Sequence, residues 1–144
     1  MVEQDTIRLL RECDAGIKMG VSSIEDVVDH VKNKTFREKL VNCKWEHEKL
    51  RQEIDKLLNK YHDDGKEPNP IAKGMSWMKT NVKLGIKLSD ETIADLMTDG
   101  CNMGVKSLNK YLNRYTAASE HSKDICKKLI NQEQQLANEL QCYL

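Results

Sequence analysis

The side chains able to do chemistry are few and scattered. There are 4 histidines and 5 cysteines in 144 residues. His47 lies within a helical stripe with Leu40, Cys43, Leu50 and Ile54. A histidine so placed is either a hydrogen-bonded core residue or a ligand. Glu46, Glu48 and Glu53 beside it have the spacing of a solvated face. His30, His62 and His121 fall at helix ends or in loops, with no partner at ligand spacing. The cysteines (Cys13, Cys43, Cys101, Cys126, Cys142) include no Cys-x-x-Cys pair, which argues against a zinc knuckle or a thioredoxin-type motif. The first four have apolar neighbours at helical spacing and read as buried thiols, so a reducing cytoplasm is expected. No Ser-His-Asp or Cys-His pairing can be argued from spacing. No glycine-rich phosphate loop is present either.

The composition limits the partners. With 23 basic and 23 acidic side chains the net charge is zero, against the basic field of a nucleic-acid binder. No apolar run approaches the roughly 18 residues that would cross a bilayer. Met1-Val-Glu-Gln-Asp5 has neither a basic nor an apolar signal region, so no signal peptide is expected. Only 7 Gly, 2 Pro and 1 Phe, among many Glu, Lys, Gln and Leu, point to an all-α protein.

These residues need helices to carry them. Asp5 is the expected N-cap of helix 1, which runs to about Lys32 with Leu10, Ile17, Val21, Ile24, Val28 and Val31 inward. Asn33-Lys34 connects it to helix 2, for which Thr35-Phe-Arg-Glu38 reads as a capping box. Helix 2 carries Phe36, Leu40, Cys43, His47, Leu50, Ile54, Leu57 and Tyr61 inward. So short a loop makes an antiparallel hairpin. The Lys66–Pro70 stretch is a linker, and Asn69-Pro70 can cap a short helix with Ile71, Met75, Met78, Val82 and Ile86 on one face. Ser89 caps helix 3, which ends near Tyr115, and Ser119 opens helix 4 with Ile125, Leu129, Leu136, Leu140 and Tyr143 inward. Trp45 lies off the stripe and is expected beneath the crossover helix or a second subunit, which leaves a homodimer open.

The most specific pattern is a duplication. Gly16-Ile-Lys-Met-Gly-Val-Ser-Ser-Ile24 recurs as Gly100-Cys-Asn-Met-Gly-Val-Lys-Ser-Leu108, and Lys39-Leu-Val-Asn42 as Lys128-Leu-Ile-Asn131. This predicts one domain over 1–144. Hairpin repeats over 5–61 and 89–144 flank a crossover at 62–88. Glycine inside a helix costs about 1 kcal/mol relative to Ala. Its recurrence predicts that helices 1 and 3 touch closely at Gly16, Gly20, Gly100 and Gly104, with Met19 and Met103 filling gaps. A glycine-lined gap for a small-molecule ligand is the other reading.

Two helical hairpins joined by a long crossover resemble the ferritin-like superfamily, which contains ferritins and rubrerythrins, and especially its small bacterial members. The resemblance implies a ferritin-like four-helix bundle. It also implies two metal ions held by a Glu on each of two helices and a Glu-x-x-His on each of the others. This chain departs from that pattern. Aligning the repeats sets Lys44-x-x-His47 beside Glu133-x-x-Leu136, so one copy keeps only the His and the other only the Glu. Asp14, His47 and Glu133 are the possible residual metal ligands, for iron or manganese. No cofactor is expected, because an ammonium at Lys44 repels cations. Lys44 and Glu133 are instead expected to form an ion pair where the metals would lie. The implied protein is a non-catalytic structural or interaction bundle.

Overall fold

The computed structural model describes residues 2–67 and 88–144. They form four long helices: α1 (Val2–Val27), α2 (Lys34–Lys60), α3 (Asp90–Arg114) and α4 (Glu120–Leu140). The predicted helix with Ile71, Met75, Met78, Val82 and Ile86, and Trp77 with it, lies outside the described residues.

Side chains at the turns fix the order of the bundle. Asp90, the first residue of α3, accepts from the backbone N–H of Lys32 at 2.8 Å and of Asn33 at 2.9 Å. It thereby satisfies amides at the α1–α2 turn and places the start of α3 there. At the other end the α3–α4 loop sits on the start of α1. Ala117 N–H donates to Asp5 at 3.1 Å, and Ser119 N–H donates to Thr6 Oγ1 at 2.9 Å. Phe36 at the start of α2 stacks on Tyr143 just past α4, with ring centroids 4.6 Å apart. The helices therefore form a ring in the order α1, α2, α4, α3, with every neighbouring pair antiparallel. The end of α2 and the start of α3 lie at opposite ends of the bundle, with residues 61–89 between them in sequence.

Helix ends agree with expectation at Ser89 and Ser119, whose side chains accept from Thr92 and Ser122 N–H. Two ends differ. α1 begins before Asp5, which leaves that carboxylate free to bind the distant loop rather than to cap its own helix. At α2 the cap is Asn33, which accepts from Phe36 N–H at 3.0 Å. Its carboxamide reaches the first-turn amides two residues before Thr35, so the predicted capping box is displaced.

The buried side chains divide into two apolar clusters. One contains Ile24, Val27, Phe36, Leu40, Met97, Cys101, Leu136 and Leu140. The other contains Leu10, Ile17, Leu50, Ile54, Leu108, Ile125 and Leu129. The break falls at one level on every helix: near Gly20 on α1, His47 on α2, Gly104 on α3 and Glu133 on α4. Trp45 is 55% exposed, and the Lys49 ammonium lies 3.5 Å above its ring in a cation–π contact.

Candidate functional site

The polar level between the two clusters is built from opposite kinds of residue. α2 and α4 contribute long polar side chains, while α1 and α3 contribute glycines. His47 Nε2–H donates to Glu133 Oε1 at 2.6 Å. The side chains are 1% and 12% exposed, so the ring is buried and the carboxylate is largely shielded from water. A Cβ on Gly20 would stand 3.2 Å from His47 Cδ2, and one on Gly104 would stand 3.6 Å from Glu133 Oε2. The glycines make room for this pair. On the other side of the ring, Nδ1 of His47 stands 3.7 Å from Cys43 Sγ, one helical turn earlier on the same face.

This surrounding sets the charge of the ring. Burial disfavours an imidazolium, but contacts with Cys43 and Glu133 outweigh it and push His47 up to about 10. At neutral pH both ring nitrogens therefore carry protons. The Cys101 thiol is pushed up, first by burial and then by the neighbouring Glu133, and stays protonated.

Asp14 lies elsewhere. It is six residues before Gly20 on α1, about 9 Å along the axis at 1.5 Å per residue. Its carboxylate is 1% exposed, and Lys18 Nζ stands 2.8 Å from Oδ2. Lys66 N–H donates to the same oxygen at 3.1 Å. Arg51 Nε faces Oδ1 at 3.7 Å, beyond hydrogen-bond range, and both atoms lack a hydrogen-bond partner. Burial works against the Lys18 ammonium, yet its contacts with Asp14 and Glu67 prevail and raise its pKa. The chain after α2 is strapped down here. Gly65 adopts φ +87°, a Cβ there would collide with Asp14 Oδ2, and Lys66 pairs with Glu12.

Three expectations about the site are corrected by this geometry. Asp14, His47 and Glu133 do not converge, and among the described residues no group of three or more His, Cys, Asp or Glu could hold a metal ion. Nor does His47 offer a free ligand atom, because a doubly protonated imidazole has no lone pair, and its Nε2–H occupies one oxygen of Glu133. Lys44 does not meet Glu133. Its ammonium lies 3.2 Å from Glu25 of α1 at the edge of the bundle, where a long stem lets the charge reach water. His47, three residues on, takes the place beside Glu133.

The glycines also differ from expectation. A Cβ on Gly16 would meet only Leu129 and Leu108 side-chain atoms at 3.9–4.0 Å, and one on Gly100 would meet nothing within 4 Å. Met103 is 70% exposed and fills no gap. What faces Gly16, Gly20 and Gly104 is side chain rather than backbone, so small residues here admit side chains instead of drawing two helices together. Sequence reasoning missed the Cys43–His47 contact, although their spacing of four on one stripe was its signal. It also missed Arg51 and Gly65 around Asp14.

No protein-family model, curated protein or solved structure matches this chain.

Proposed function

We propose that this protein is a ferritin-like four-helix bundle in which the His47–Glu133 pair stands where relatives carry metal ions. It acts as a structural or interaction protein rather than as a catalyst. The observation that carries this reading is the 2.6 Å contact between the two side chains at the mid-level of the bundle. Three features support it. A long connection joins α2 to α3 while the other turns are short. The Gly-x-x-x-Gly segments of α1 and α3, read as an internal repeat, bring Gly20 and Gly104 to the level of the pair. The ring that would ligate a metal is protonated on both nitrogens.

The test is elemental analysis of the purified protein, with absorbance followed after ferrous iron is added under air. The expected result is no stoichiometric iron or manganese and no oxidation faster than buffer alone. Stoichiometric metal that disappears in Glu133→Gln overturns the reading.

A further inference from the structure

We propose that Cys43 is a nucleophilic thiol served by His47 and Glu133, and that the reagents it takes are small disulfides. The three side chains stand in line. Cys43 Sγ lies 3.7 Å from His47 Nδ1, and His47 Nε2–H is fixed on Glu133 Oε1 at 2.6 Å. A nucleophile, an imidazole and a carboxylate that orients the ring are the parts shared by thiol and hydroxyl nucleophile sites. Here the spacing of four on α2 supplies the first two, and α4 supplies the third.

The other cysteines lack this arrangement. Cys13, Cys101 and Cys126 are buried, whereas Cys43 is only half-buried. Cys142 is exposed, but its thiol donates to the Glu139 carbonyl oxygen at 3.6 Å. Exposure alone would therefore make Cys142 the first to react, and a Cys43 that reacts sooner must owe it to its partners.

The step balances without a further oxidant. Cys43 sulfur attacks one sulfur of a disulfide R–S–S–R, so that a new S–S bond forms as the old one breaks. The proton of Cys43 passes to water before the attack, the sulfur left behind stands 3.7 Å from His47 Nδ1, and the displaced thiolate takes a proton from water and leaves as RSH. The product is a mixed disulfide on Cys43. The step uses the same His47–Glu133 pair as the bundle reading above but does not depend on ferritin-like descent.

The reduced full-length protein is treated with dithiodipyridine, quenched with acid at intervals, and mapped cysteine by cysteine by mass spectrometry. Cys43 is expected to be modified roughly tenfold faster than Cys142, a modest effect for a thiol beside a protonated imidazole. In His47→Gln it should fall behind Cys142. The proposal is overturned if Cys142 outpaces Cys43 in the wild type, or if folded His47→Gln keeps the fast reaction. Should circular dichroism show His47→Gln unfolded, the wild-type ratio decides. Slow Cys43 modification in metal-free protein overturns this proposal alone, whereas stoichiometric metal overturns the bundle reading.

Discussion

Two carboxyl groups in this bundle, Asp14 buried and Glu133 partly so, are held in opposite ways. Glu133 has one charged partner, His47, which comes from another helix and is itself buried. Asp14 has Lys18 one turn away, Arg51 from α2 and the Lys66 amide from the strap after α2. Arg51 is 44% exposed and can turn to water, so Asp14 shares its charge with the surface. The first site is a closed pair across the core, and the second is an edge network. Losing one partner should therefore matter most at the pair.

The largest effect is expected from Glu133→Leu, which leaves the His47 cation without its carboxylate and should cost about 3–5 kcal/mol by urea denaturation. Adding His47→Leu should recover much of that loss. A double variant as unstable as the sum of the singles would break the contrast between the two sites. The same pair predicts a pH profile. His47 is raised above the ordinary 6.5, to about 10 in the fold, so its stabilising contribution is complete below about 6.5 and is lost as pH rises through about 10. Denaturation midpoints measured from pH 6 to 11 check the direction (roughly the span between the two values). In Glu133→Leu that slope should flatten.

Next in size is the strap. Gly65→Ala forces a side chain into the left-handed region and against Asp14, at a cost of about 2–4 kcal/mol. Thermal unfolding reads it, and an unchanged midpoint would mean that the strap contributes nothing to holding Asp14.

The smallest effects sharpen the comparison between glycines. Gly104→Ala should stabilise by about 0.5–1 kcal/mol, because its Cβ meets Glu133 only at ordinary contact distance. Gly20→Ala should lose that gain. Its Cβ presses on a His47 ring that the 2.6 Å bond to Glu133 keeps from moving. If both substitutions stabilise equally, the ring is not pinned.

Much of this is local in origin and was legible in the chain. The caps Ser89 and Ser119, the inward face of α2 and the burial of His47 follow from helical periodicity and from side chains that reach their own first turn. The site was legible only as a set of candidates. His47 and Glu133 were both candidates, but matching Lys39-Leu-Val-Asn42 to Lys128-Leu-Ile-Asn131 set Lys44 opposite Glu133. That register is off by three residues, about 4.5 Å along a helix. Asn33 displaced Thr35 for a similar reason: two residues two positions apart could both cap, and the turn geometry held by Asp90 selected one.

The amino-acid order alone therefore determined which stretches coil and which of their faces turn inward, because each depends on contacts only three or four residues long. How high α4 stands beside α2, and so which charge meets which, was decided only when four helices packed together. That offset depends on side-chain fit across the bundle and on the connection between its halves, and no short window of the chain contains either.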